Sequence, residues 1–154
     1  RIGLLNKGRL IQVGTPYEIY NNPINAYVAE FVGTPAINLF DGLIRDSRVV
    51  IIKDEFEFDL DRNTLNRLNG FSGAVKIGIR SEDIELAVEK GTEGRIYGVE
   101  DMGMGKIVTI KINDHLLRAT VDAKYNFEID TNVRFELNTE KLHFFNKDSG
   151  ENLV

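Results

Sequence analysis

The sequence contains no cysteine, so neither a disulfide framework nor a thiolate metal site can form, and the redox compartment is left open. Histidine is nearly absent too. His115 and His143 are the only two, and neither has a second ligand at a recognised metal spacing, which argues against a metal centre. Long apolar runs are missing: the longest is four residues, as at Val49–Ile52, far short of the roughly 18 needed to cross a bilayer. A basic excess is missing as well. Nineteen Lys and Arg against 24 Asp and Glu give a net charge of −5, with no clustered basic window, and this opposes the phosphate neutralisation that nucleic-acid binding needs.

Catalytic signatures fail one by one. A phosphate loop needs Gly, four residues, then Gly-Lys-Ser/Thr; around Gly105-Lys106 the first glycine is replaced by Glu100 and the hydroxyl by Ile107. Gly103-Met104-Gly105 has Val108 in place of the third glycine of a dinucleotide fingerprint, and reads instead as a bulge or tight turn between strands. There is no Gly-x-Ser-x-Gly elbow and no thiol nucleophile. The carboxylate neighbours Glu82-Asp83 and Glu100-Asp101 would serve as an acid/base pair only in environments that push their pKa values apart. They read as a turn and a solvated strand edge. No catalysis is expected of this chain.

What is present is an ordinary globular composition, 42% hydrophobic and 28% charged, in a length that fits one domain with a short attached piece. It opens at Arg1 in a strand-like run, Ile2 to Leu5, without a signal-peptide pattern, and is expected to be cut from something longer. A hairpin follows: Ile2 to Leu5, a turn at Asn6-Lys7-Gly8, then Arg9 to Val13. Thr15-Pro16-Tyr17-Glu18 has an N-cap hydroxyl, proline at the first helical position and Glu three residues after the cap, a capping box that starts a helix ending before Pro23. A second short helix is expected over Asn25 to Val32, closed by Gly33 and Pro35.

From Asn38 the period changes from helical to alternating. Strands are expected over Asn38–Arg45, Arg48–Ile52, Glu55–Leu60, Ala74–Arg80, Ile84–Val88, Gly94–Met102, Lys106–Ile112, Leu116–Val121, Asn132–Asn138 and Leu142–Phe145. One helix is expected near Arg62 to Asn69. The boundary is placed at Thr34 to Ala36, giving a lead-in of residues 1–36 and a β domain of residues 37–154. Many short strands joined by glycine-containing turns make this a mainly β chain, a small barrel or sandwich.

Several runs then resemble one family in order. Arg1 to Pro16, with its Asn-Lys-Gly turn and Gln12-Val13-Gly14-Thr15-Pro16, resembles the last strands of an ABC-type nucleotide-binding domain. Glu18 to Pro23 and Val28 to Asn38 resemble the linker helices of the sugar-importer branch. Gly78-Ile79-Arg80-Ser81-Glu82-Asp83-Ile84 is similar to that branch's Gly-x-Arg-Pro-Glu-Asp-Ile segment, with Ser81 where proline is usual. Val99-Glu100-Asp101-Met102-Gly103 resembles its Val-Glu-x-Leu-Gly loop. Leu142 to Gly150 resembles its His-x-Phe-Asp-x-x-Thr-Gly ending, shifted by one residue at Phe145-Asn146.

The resemblance implies an OB-like barrel of the transport-associated type, the regulatory and dimerisation domain of an ABC importer's ATP-binding subunit, which drives uptake of a sugar or related solute. ATP and Mg would be handled in the parent chain, with no cofactor in this part. Implied partners are a second copy of the ATPase subunit, transmembrane permease subunits reached through the catalytic domain, and a cytosolic regulator protein, all at the cytoplasmic face of the membrane. Candidate regulatory or dimer-face residues are Arg80, Glu82, Asp83, Glu100, Gly103, Gly105, Asp148 and Gly150. A small-ligand or oxyanion-binding barrel using Arg80 or Lys106 is the alternative. An OB-type oligonucleotide binder stacking bases on Tyr97, Tyr125 and Phe127 is a weaker one. The lead-in is expected to be poorly anchored, with Leu4, Leu10, Ile19, Tyr27 and Phe31 exposed.

Overall fold

The computed structural model describes residues 1–46, 48–51 and 56–154. Glu55 and Ile52, expected at strand ends, lie outside the described residues. The chain opens with an antiparallel hairpin of β1 (Ile2–Asn6) and β2 (Arg9–Gly14). Its two-residue turn places Lys7 and Gly8 at positive φ, +47° and +77°, the twist that short hairpins prefer.

Helix α1 (Pro16–Asn21) starts where the capping box predicts: Thr15 Oγ1 accepts from the Glu18 amide, and Glu18 accepts from the Thr15 amide at 2.7 Å. Those bonds hold the Glu18 carboxyl below its ordinary pKa. Helix α2 (Ala26–Phe31) is capped by Asn25, whose side chain accepts from the Val28 amide.

Two five-stranded antiparallel sheets make the rest. One has the order β12-β6-β3-β4-β5: β3 (Asn38–Arg45), β4 (Arg48–Ile51), β5 (Phe56–Asp59), β6 (Gly73–Ile79) and β12 (His143–Asn146). The other has the order β10-β9-β8-β11-β7: β7 (Ile84–Leu86), β8 (Thr92–Asp101), β9 (Gly105–Ile112), β10 (His115–Asp122) and β11 (Asn132–Leu137). Helix α3 (Arg62–Leu68) links β5 to β6 behind an Asp61 cap, and 3-10 turns cover Ser81–Asp83 and Thr139–Lys141. Among the described residues no helix is long and apolar enough to cross a membrane.

Alternation decides which residues meet inside. In β3, Asn38, Phe40, Gly42 and Ile44 point inward, and in β10 Leu117 and Ala119 do. Both sheets contribute to one core, with Phe40, Ile44, Val75, Ile77, Ile96, Ile110, Leu117, Phe135 and Phe144 buried together. Ring contacts cross between the sheets, Phe56 to Phe135 at 5.8 Å and Phe40 to His115 at 5.9 Å. The result is a nearly closed, barrel-like β domain of OB type.

β12 breaks the alternation, because His143, Phe144 and Phe145 are all buried. Phe144 enters the shared core, whereas Phe145 faces the other way into a second cluster with Ala29 and Ile37, so α2 roofs the outer face of the sheet. Gly78 makes that roof fit: a Cβ there would lie 2.8 Å from Ile37 Cδ1 and 3.3 Å from Phe145.

The lead-in is held more firmly than the sequence predicts. Leu4 and Ile19 are buried with Val28, against the expected exposure, while Leu10, Tyr27 and Phe31 are exposed as expected. The tail also clasps α2. The Ala26 amide donates to the Gly150 carbonyl, the Asn152 amide to that of Ile24, and Asn152 Nδ2 to that of Pro23.

Candidate functional site

Arg80 sits at the end of β6, immediately before the Ser81–Asp83 turn, and is 2% exposed. Its guanidinium reaches back 48 to 60 residues: Nη1 donates to the carbonyls of Ala29 (2.9 Å) and Val32 (2.5 Å), and Nη2 donates to that of Tyr20 (3.0 Å). It also lies over the Tyr20 ring, 4.0 Å from the centroid. Ala29 and Val32 lie in the last turn and at the C-cap of α2, and Tyr20 in the last turn of α1. Carbonyls there lack intrahelical donors, so one side chain serves the carboxyl ends of both helices while supplying the positive charge they favour. Burial lowers the Arg80 pKa, and Tyr20, Glu82 and Asp83 nearby oppose that shift. Arg80 is therefore an interior clamp between the lead-in and the β domain. It was expected among the candidate regulatory or dimer-face residues, and its side chain lies in the interior.

Glu82 and Asp83 follow the clamp. The Tyr20 hydroxyl donates to Glu82 Oε1, and burial together with that bond pushes the Tyr20 pKa up to about 12. Asp83 is half-buried, and burial, then the neighbouring Glu82, raise its pKa. His143 is pushed down to about 4, first by burial and then by the positive charges of Arg80, Arg67 and Lys141. These side chains line a cleft of about 320 Å³ between α1 and the β domain, with Tyr17, Asn21, Asn22, Glu140 and Leu142 completing its wall.

The other expected face residues stand elsewhere. Glu100, Gly103 and Gly105 belong to the β8–β9 hairpin, where Glu100 pairs with Ile107 and the Met102 amide donates to the Gly105 carbonyl. Gly103 takes φ +83° with open space around it, and Asp101 Oδ1 accepts its amide, which makes the run a tight turn. The bulge on β8 falls between Ile96 and Gly98. Asp148 and Gly150 lie in the turn after β12, where Asn146 Oδ1 accepts from the amides of Asp148 and Ser149. That turn is tied to α2 through Gly150.

The 3-10 turn and the hairpin are neighbours through β10. Ser81 Oγ and Thr120 Oγ1 are 2.8 Å apart, and Thr120 pairs with Ile107, which pairs with Glu100. Sequence reasoning found Glu82 and Asp83 but missed Tyr17, Tyr20, Arg67 and Lys141 as their companions. No local signal marks them, because α1, α3 and the Thr139–Lys141 turn meet only in the fold.

Residues 33–84 match the family model of the MalK OB fold domain. The chain is 30% identical to an sn-glycerol-3-phosphate import ATP-binding protein, UgpC 2, of Agrobacterium fabrum, over 99% of this chain and 41% of the relative. It is 34% identical to the multiple sugar-binding transport ATP-binding protein MsmK of Streptococcus mutans, over 92% and 40%. It is 27% identical to the trehalose/maltose import ATP-binding protein MalK of Thermococcus litoralis, over 98% and 43%. The chain thus spans about two fifths of the length of these curated relatives. Among solved structures, the cytoplasmic molybdate-binding protein ModG superposes with a TM-score of 0.53 at 13% identity, covering 70% of this chain and 94% of that one. This likeness concerns the fold alone.

Proposed function

From the premise that this chain carries a MalK-type OB fold domain and aligns along nearly its whole length with import ATP-binding subunits, we propose that it is a regulatory and dimerisation module. It stands at the carboxyl end of an ATP-binding subunit that drives uptake of a sugar or related solute. In this reading the module is not catalytic, and the whole subunit handles ATP and Mg elsewhere. Its partners are a second copy of the subunit, permease subunits reached through the catalytic domain, and a cytosolic regulator protein, with the assembly peripheral at the cytoplasmic face of the membrane.

The observation that supports this best is the Arg80 clamp. A domain that reports its state to an attached machine needs a stiff joint, and Arg80 ties two helices of the lead-in to the strand that enters the barrel. A force on the barrel then moves the lead-in. The oxyanion alternative is weakened, since the Arg80 Nη atoms donate to carbonyls, its Nε is buried, and Lys106 Nζ donates to the Tyr125 carbonyl and Asn126 Oδ1.

Sedimentation of the chain over a range of concentrations tests the dimerisation part. The expected result is association that weakens in Glu100→Lys and in Gly103→Arg. A chain that stays monomeric at high concentration, together with unchanged regulation of transport by the whole subunit carrying both substitutions, would contradict it.

A further inference from the structure

We infer that the cleft between α1 and the β domain, lined by Tyr17, Tyr20, Arg67, Glu82, Lys141 and His143, binds a small neutral polyhydroxylated molecule such as a sugar or polyol. The inference goes beyond the regulatory reading and does not depend on it, since an empty cleft would leave that reading standing.

Size comes first. About 320 Å³ lies at the lower end of the roughly 300–1,000 Å³ of small-molecule sites, enough for one or two sugar-sized rings. The cleft also has the recognition groups. Glu82, Asp83 and Glu140 accept hydrogen bonds, Arg67 and Lys141 donate them, and a neutral His143 does one of each. Arg48 pairs with Glu57 and Asp59, Arg95 with Asp130 and Lys147 with Asp41, all away from this cleft. Within the wall Glu82 Oε1 accepts from the Tyr20 hydroxyl, Glu140 Oε1 accepts from Asn63, and Arg67 Nη1 donates to the Glu140 carbonyl. The same wall holds Asp83, Lys141 and His143, acceptors and donors that a hydroxyl, which both donates and accepts, can match.

Charge selects among ligands. An anion attracted by Arg67 and Lys141 would meet the carboxylates of Glu82, Asp83 and Glu140, and a cation would meet the reverse. Burial also favours the uncharged forms of Tyr20 and His143, so this part of the wall offers a full charge no partner of opposite sign. Tyr17 adds a ring at 74% exposure on the rim, a flat surface for the C–H face of a sugar, while Tyr20 already stacks with Arg80. The Nη atoms of Arg80 are spent on backbone carbonyls and hold the wall in place.

The test is a titration of the full chain followed by backbone and side-chain NMR, using glucose, maltose and glycerol, with inorganic phosphate and glutamine as the anion and the zwitterion. The expected result is saturable shifts from at least one neutral ligand, confined to Tyr17, Tyr20, Arg67, Lys141 and His143. Lys141→Ala and Arg67→Gln should each weaken that binding about tenfold, the order of one hydrogen bond to a charged group. Both residues are exposed, so the fold should survive, and an unchanged spectrum away from the cleft verifies it. Arg95→Ala, on β8, should bind like the wild type. Absence of saturable shifts with all three neutral ligands, tighter binding of phosphate or glutamine, or shifts centred outside the cleft would overturn the inference.

Discussion

Arg80→Ala would leave the carbonyls of Ala29, Val32 and Tyr20 without their donor and open a void under the Tyr20 ring. The expected loss is on the order of 3 kcal/mol, from several buried acceptors left unsatisfied, read from urea unfolding midpoints. Arg80→Lys should lose much of it too, because an ammonium cannot fork between carbonyls that a planar guanidinium spans. A loss below about 1 kcal/mol in both variants would show that the clamp is incidental. The sequence marked Arg80 through a motif but not its destination, since its partners lie 48 to 60 residues away.

His143 gives a pH prediction at the same scale. Its folded pKa, about 4, lies below the unfolded value of about 6.5, so the unfolded chain binds more protons between those limits. The stabilising effect of keeping the ring neutral is complete above about pH 6.5 and is lost as pH falls toward 4, by on the order of 3 kcal/mol. Asp83, with its raised pKa, works in the opposite direction as its carboxyl takes up a proton. The difference between wild type and His143→Gln isolates the histidine. That difference in stability should shrink as pH is lowered through this window, and a constant gap would contradict the buried neutral ring.

Among elements, the outer face of β6 and β12, where Ile37 and Phe145 pack beneath α2, is closely packed at Gly78. Gly78→Ala would push a methyl group to 2.8 Å from Ile37 Cδ1 and against Leu39 and Phe145. Overpacking of that kind costs about 1–3 kcal/mol, measurable by thermal or urea unfolding. A variant as stable as the wild type would mean that the packing of Ile37, Leu39 and Phe145 over Gly78 is loose. Thr15→Ala should cost about 1 kcal/mol through loss of the cap of α1. This element was plain in the sequence because hydroxyl, proline and glutamate act within four consecutive residues. The inner alternation of β3, β10 and β11 was equally legible. β12 was legible as a strand, expected over Leu142–Phe145 and found over His143–Asn146. Its burial on both faces was not, since a strand covered on both faces has no alternation to read and its cover, α2, is more than a hundred residues earlier. β7 ends at Leu86, earlier than expected, because Ala87 turns to φ +61°.

At the scale of the whole molecule, the lead-in divides in two. α2 is held by Arg80, by Phe145 and by the tail at Gly150 and Asn152, whereas β1 and β2 form a separate two-stranded sheet that meets the helices through Leu4, Ile11 and the Gln12 side chain. A lone two-stranded hairpin is marginal, and Leu5, Leu10 and Tyr17 remain exposed around it. Hydrogen exchange should therefore be fastest in β1 and β2 and slow in α2 together with the β domain. Equal protection of hairpin and barrel would contradict this division. Expecting the whole lead-in to be loose treated it as one body, because the long-range bonds that split it are invisible in local sequence.

The proposal that residues 37–154 control an ATP-driven importer without performing its chemistry is tested most directly by Mg-ATP turnover. The whole ATP-binding subunit, assembled with its permease partners, would be compared with the same assembly lacking those residues. The account predicts that hydrolysis persists while its control by solute or regulator is altered. Complete loss of Mg-ATP binding from an otherwise folded, assembled subunit would contradict it.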